Sequence, residues 1–280
     1  MKRFGLLPML DAEDILRGGT LTLVRNDRDK PFGTEDRYTF TRNWRTPSEI
    51  LLAYREARAE ERKAAARTPF AWDARFGYLS PIPAHCGTGL IINAEIHLEG
   101  LHLIGDIPPV QSALRALRME MFSFSLDGIR DAAHVYRITN QESFGLTETD
   151  LLNRLIRILT DLTNQELNAR EVLINEHPLV LADSISRALA ILKSARLLAP
   201  WELFDLLSPI RLACTFGWIK GITTAAVDRL MRTQAEKLDF TPPSTPDEEK
   251  KRDMRDAALA ARINKRFAPI VFNQPPNGKF

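Results

Sequence analysis

The residues able to carry out chemistry are few and dispersed. Five histidines, His85, His97, His102, His134 and His177, stand apart in the chain, and the two cysteines, Cys86 and Cys214, belong to no CxxC or metal-spaced cluster. The spacing therefore argues against a zinc site or a disulfide framework. Cys86 adjoins His85 and precedes Gly87-Thr88-Gly89. A thiolate–imidazole pair must face each other, and neighbours on an extended chain point apart. Glu95 and His97 stand at i and i+2 on one strand face, which permits acid–base or metal chemistry. Polar residues on the solvent face of an antiparallel strand give the same pattern, and that reading is preferred. Trp72, Phe76 and Tyr78 could stack a ring, but aromatics around a strand are more often core. No GxGxxG, Walker A loop, HExxH or GxSxG occurs.

The elements that must position these residues divide the chain into a β-rich first half and a helical second half. Short strands are expected at 20–24 and 36–42, then a charged helix over 47–66. The clearest strand is 88–98, where Leu90, Ile92, Ala94, Ile96 and Leu98 form one face and Ile91, Asn93, Glu95 and His97 the other. A helix from Pro109 to Met119 and strands at 121–125 and 133–139 follow. From Thr147 the period becomes helical, with Asp150 closing a capping box. Helices are expected to about residue 175, then over 178–198 and 200–207, and from Gly221 to about 237. The pattern predicts an α+β fold, an antiparallel β-sheet flanked by helices. Residues 241–246 read as a linker, 247–267 as a last charged helix, and 268–280 as a loose tail.

Composition narrows the class. The chain has 280 residues, 44% of them hydrophobic and 26% charged, with a formal net charge of +2. That balance gives no reason to expect nucleic acid. No stretch approaches the ~18 apolar residues needed to span a bilayer. The basic, apolar start is too short for a signal peptide, and two unclustered thiols suit a reducing, cytoplasmic setting.

Several colinear blocks resemble the ATP:guanidino phosphotransferase family, most of all the bacterial protein arginine kinases of the McsB type. They are Trp72-Asp-Ala-Arg-Phe-Gly-Tyr-Leu-Ser, Gly87-Thr-Gly-Leu, Ala94-Glu-Ile-His-Leu, Ile138-Thr-Asn-Gln, Gly145-Leu-Thr-Glu, Asn164-Gln-Glu-Leu-Asn-Ala-Arg-Glu, Asp183 to Leu192, and Leu207-Ser-Pro-Ile-Arg-Leu. Order and spacing agree from about residue 33 to about residue 265. The resemblance implies an antiparallel sheet flanked by helices. It also implies phosphoryl transfer from Mg-ATP to a guanidinium, with arginines holding the phosphates and a carboxylate orienting the acceptor.

Matched residue by residue, Glu35 in Gly33-Thr34-Glu35-Asp36-Arg37 falls on the catalytic carboxylate. Three phosphate-holding arginines of the family fall on Thr39, Ile91 and Phe122. Only Asp127 and Gly128 keep the character of the catalytic loop, and the cysteine before the Gly-Thr-Gly turn becomes Ile82. Val24-Arg25-Asn26 only faintly echoes the family's arginine-bearing N-terminal motif, and residues 1–32 are set apart as a divergent segment before a 33–240 catalytic-type domain. Losing one preorganised cationic donor can cost ~3 kcal/mol of transition-state stabilisation. The resemblance therefore implies a catalytically inactive relative, a pseudokinase with a binding or regulatory role and no expected cofactor. Its partners would be an active arginine kinase or the protease and chaperone machinery such kinases serve. An active enzyme would need Mg-ATP and substitute cations such as Arg37, Arg118 or Arg130. A third alternative is a phosphoarginine-binding module built on Arg252, Asp253 and Ala257, the remnant of the family's Arg-Asp-x-x-Arg-Ala motif. There the second arginine is Asp256, placed to pair with Arg252 one helical turn away.

Overall fold

The computed structural model describes residues 14–30, 33, 35–125, 131–235 and 244–273. Strand β1 (Leu16–Arg25) runs antiparallel between β2 (Tyr38–Trp44) and β5 (Leu90–His97), and β7 (Asp131–Asn140) and β6 (Met119–Ser125) complete a five-stranded sheet of order β2-β1-β5-β7-β6. Residues 16–25 of the divergent segment thus supply an interior strand, and a boundary at residue 32 divides the sheet. The strand expected at 20–24 is the second half of β1; Gly18 and Gly19 dilute the apolar alternation before it, so the start at Leu16 was not legible.

Helix α1 (Ile50–Ala65) follows a single 3₁₀ turn and precedes a small hairpin of β3 (Trp72–Asp73) and β4 (Gly77–Tyr78). The face of β5 carrying Leu90, Ile92, Ala94 and Ile96 is buried, as its alternation requires. It packs with α1, α3 (Ile107–Ala116) and α4 (Glu148–Glu176) into one core. Short α2 (Glu99–Leu103) connects β5 to α3. The expected capping box is present at the start of α4, where the Thr147 side chain accepts from the Asp150 amide at 3.1 Å.

A second core gathers α5 (Pro178–Ser194), α6 (Pro200–Thr215), α7 (Thr224–Ala235) and α8 (Pro246–Phe267) around Val135 of β7. Helix α6 continues through Pro209 to Thr215 instead of ending near residue 207. An interior proline costs about 3 kcal/mol, and burial of Leu207, Ile210, Leu212 and Ala213 outweighs it. The expected tail is ordered over its first part: Val271–Phe272 forms β9 on β8 (Ile219–Lys220), and Ile270 is buried. Residues 274–280, and residues 241–243 of the expected linker, lie outside the described residues. No described helix is long and apolar enough to cross a membrane.

Candidate functional site

Strand register places the family-matched positions on one surface. Thr22 of β1 is opposite Thr41 of β2 and Ile91 of β5, so Thr39, two residues before Thr41, shares that face. Glu95 of β5 is opposite Arg137 of β7, which is opposite Phe122 of β6. Thr39, Ile91 and Phe122 therefore share the face turned away from α4, and Phe122 is 48% exposed. Among the described residues of these rows the guanidinium is Arg137, 3.5 Å from Glu95. The remainder is hydroxyl and amide: Thr22 to Thr41 at 2.9 Å, and Asn93 donating to Thr20 at 3.2 Å. A polyphosphate requires converging cations. Among the described residues these rows offer neutral dipoles, a hydrocarbon, a ring and one guanidinium paired with Glu95, not the converging cations that Mg-ATP would need.

The carboxylate-bearing turn lies at the edge of this face. Glu35 is exposed. Asp36 beside it accepts from Asn26 Nδ2 at 2.7 Å, Ser80 Oγ at 2.7 Å and His85 Nδ1 at 2.6 Å. His85 is thus committed to Asp36, while the Cys86 thiol donates to the Ser80 carbonyl at 3.5 Å, so the two do not form a nucleophile–base pair. The Gly-Thr-Gly turn that follows is tight. A Cβ on Gly87 (φ +105°) would lie 2.5 Å from Ser143 O, and one on Gly89 (φ +61°) 2.6 Å from Arg25 Nη1.

Arg25 is fully buried, donates from Nε to Glu61 at 2.7 Å and stacks 3.5 Å from the Tyr78 ring centroid. Arg58 closes the other side of Glu61 at 2.5 Å. Arg25 closes β1 directly after the apolar Leu23-Val24, a position from which a charged side chain must find a partner when it is buried. Trp72 and Phe76 stand 59% and 45% exposed beside Phe144, not in the core as expected of strand aromatics. They border a shallow cleft of about 400 Å³ whose other side is formed by Arg58 and Glu148.

His97 departs from its expected solvent face, since it is fully buried beneath α6. Arg211 Nη1 donates to its Nδ1 at 3.3 Å, its Nε2 donates to Ser208 Oγ at 2.8 Å, and Ser208 donates to Glu99. His134 Nδ1 donates to the same Glu99 oxygen at 2.5 Å, from a backbone at φ +46°. Burial, with the Arg211 and Arg170 guanidiniums, holds His97 well below the usual imidazole range. Burial opposes ionisation of Glu99, but His134 and the Ser208 hydroxyl keep its carboxyl below the usual range.

Of the proposed substitute cations, Arg118 donates from Nη1 to both carboxylate oxygens of Glu142 at 2.9 and 3.1 Å. Arg37 stands exposed beside Glu35. Arg130, Asp127 and Gly128 lie outside the described residues. On α8, Arg252 pairs with Asp253 at 3.4 Å and Glu249 at 3.8 Å rather than with Asp256. Asp256 is turned into the protein, where burial pushes its carboxyl upward. Ala257 is half-buried one residue further along. No group of three or more His, Cys, Asp or Glu able to hold a metal occurs among the described residues.

An antiparallel sheet flanked by helices, with the Gly-Thr-Gly turn and the Glu-Asp turn at one edge, defines a guanidino-kinase type of fold. The chain matches the model of the ATP:guanido phosphotransferase C-terminal catalytic domain over residues 48–169, and that of the protein-arginine kinase McsB C-terminal domain over residues 178–274. The two matched models, both of guanidino-kinase domains, together cover most of the chain. A protein-arginine kinase of Moorella thermoacetica is 31% identical over 75% of this chain and 60% of its own length. Another, of Clostridium kluyveri, is 34% identical over 58% of this chain and 47% of its own. The chain thus spans about half the length of such relatives. The duplicated taurocyamine kinase of Schistosoma mansoni with bound transition state analog components has the same fold, with a TM-score of 0.51 at 10% identity. That likeness covers 69% of this chain and 41% of that one.

Proposed function

We propose that this chain is a non-catalytic member of the protein-arginine kinase group, a pseudokinase that binds or regulates rather than transfers phosphate. The observation that carries the reading is the sheet face itself. Thr39, Ile91 and Phe122 lie on one face of the sheet, on β2, β5 and β6, at the positions that the resemblance assigns to phosphate-holding guanidiniums, and Arg137 on that face is paired with Glu95. Uncompensated phosphate charge at three positions would suppress transfer well beyond the ~3 kcal/mol that a single donor supplies. The match to a McsB C-terminal domain supports a partner among active protein-arginine kinases or their protease and chaperone machinery. The free thiols of Cys86 and Cys214 suit the cytoplasm.

The test incubates the full chain with Mg-ATP and an arginine-rich protein, reading ADP release and acid-labile phosphate. No turnover above a protein-free blank is expected. Turnover that disappears in Glu35→Ala would overturn the reading in favour of an active kinase. The phosphoarginine-binding alternative is weakened by the engagement of Arg252 with Asp253 and Glu249. A phosphoarginine peptide whose binding is abolished by Arg252→Ala would restore it.

A further inference from the structure

A separate cleft of about 740 Å³ opens where β1 begins, β2 ends, and α4 and α7 approach each other. That volume lies within the range of small-molecule sites. Its floor holds two guanidiniums on one carboxylate. Arg211, 3% exposed, takes Asp228 side-on with Nε at 2.9 Å and Nη2 at 3.3 Å. Arg17, 10% exposed, reaches the same Oδ1 with Nη2 at 3.3 Å. Asp228 can neutralise only one of them, so a net positive charge remains on groups at least nine-tenths withdrawn from water. Burial lowers the pKa of Arg17; Asp228 and, less strongly, Glu95 offset this in part, and Arg211 and Arg232 lower it further.

The position of Arg17 is structural rather than incidental. It is the extra residue where the β1–β5 register shifts between Leu16 and Gly18. Such bulges re-aim a side chain at a sheet end. Arg45 and Arg232 add two more guanidiniums to the lining. Against them stand Asp14 and Glu49, and Glu49 already accepts from the Arg45 amide at 2.8 Å. Hydroxyl donors of Thr163 and Thr224 complete the wall.

We propose that this cleft binds a small phosphoryl-bearing anion, with Arg17 as its buried anchor and Arg232 and Arg45 beside it. A guanidinium presents five donors in a planar fork, and Arg17 has a single contact with Asp228. A dianion with several acceptor oxygens satisfies both the residual charge and the unused donors, which a monocarboxylate does not. Thr39, Ile91 and Phe122 do not line this cleft, so the proposal does not rest on whether their face is catalytic.

Calorimetric titration of the full chain with inorganic phosphate, glycerol 3-phosphate and acetate tests the assignment. Phosphate and the ester should bind, more weakly at higher salt, with about fivefold loss in Arg232→Ala and loss of detectable binding in Arg17→Gln. Tighter binding of the ester identifies a phosphorylated metabolite as the source, and equal binding identifies the free ion. If Arg17→Gln does not fold, Arg232→Ala and Arg45→Ala, checked for folding by circular dichroism, decide. Three outcomes overturn the proposal: no heat at millimolar phosphate or ester, acetate binding as tightly, or binding that none of the folded variants weakens.

Discussion

Asp36 accepts hydrogen bonds from Asn26, Ser80 and His85, and its side chain is 5% exposed, while Glu35 beside it stands in solvent. Three contacts to one carboxylate tie β1, the segment after β4 and the 3₁₀ turn before the Gly-Thr-Gly sequence to a single point. Asp36→Ala should cost about 2–3 kcal/mol in urea unfolding, because it removes an acceptor shared by three partly buried donors. Glu35→Ala should stay within about 0.5 kcal/mol of the parent. Equal effects would show that the turn is held by something other than Asp36. Resemblance selected Glu35 because a motif marks which residue does chemistry in relatives. It does not say which residue the local hydrogen bonds are built on.

His97 supplies the residue-scale pH dependence. Its folded-state pKa is depressed by burial and by Arg211 and Arg170. The unfolded chain therefore binds its proton first, at a pH near 6.5, while the folded chain stays neutral. Stability is fully present above that value and falls as pH drops below it, by up to about 1.4 kcal/mol per unit. Urea midpoints measured between about pH 7.5 and 5.5 should show this slope, and His97→Gln should flatten it. An unchanged slope in the variant would assign the effect to other groups.

At the scale of elements, α4 does more than fill the sheet. Its 29 residues were legible from capping box to last turn, because leucines at helical spacing and Thr147 act locally. Its polar centre was not legible. Glu166, fully buried, accepts from the Gly100 and Leu101 amides at 2.9 Å each and from Arg170 Nε at 2.6 Å. A carboxylate thus holds the start of α2 from a distance of 65 residues in sequence, which no local pattern encodes. Glu166→Ala would strand the buried Arg170 and two amides, at a cost of about 3–5 kcal/mol. Glu166→Gln, which keeps an acceptor for α2, should be milder. A loss as large in Gln as in Ala would attribute the stabilisation to the ion pair alone. Strand β5 has the same legibility limit. Its apolar face followed from alternation, but His97 is buried because α6, over a hundred residues later, covers the end of the opposite face.

At the scale of the molecule, the two family-matched regions, 48–169 and 178–274, correspond to different cores. They are joined by a polar seam rather than by a linker. Arg211 and Ser208 of α6 reach His97 of β5, and Ser208 reaches Glu99 of α2. Asp205 of α6 accepts from the Ala133 amide of β7 at 3.3 Å. The second core also includes Ala133 and Val135 of that strand, so neither core closes without the other. Breaking one partner of a fully buried, hydrogen-bonded seam leaves the other unsatisfied, which couples the two regions energetically. The chain should therefore unfold in one transition. Trp44, 2% exposed, reports the first core and Trp218, 7% exposed, the second. Urea midpoints of Trp44→Phe and Trp218→Phe proteins, each read by fluorescence and by far-ultraviolet circular dichroism, should coincide within each variant. Ser208→Ala, which interrupts the seam between His97 and Glu99, should lower both signals together. Two separated midpoints in the parent chain would mean that the seam is a contact between independent domains, and that the helices α5 to α8 fold without the sheet.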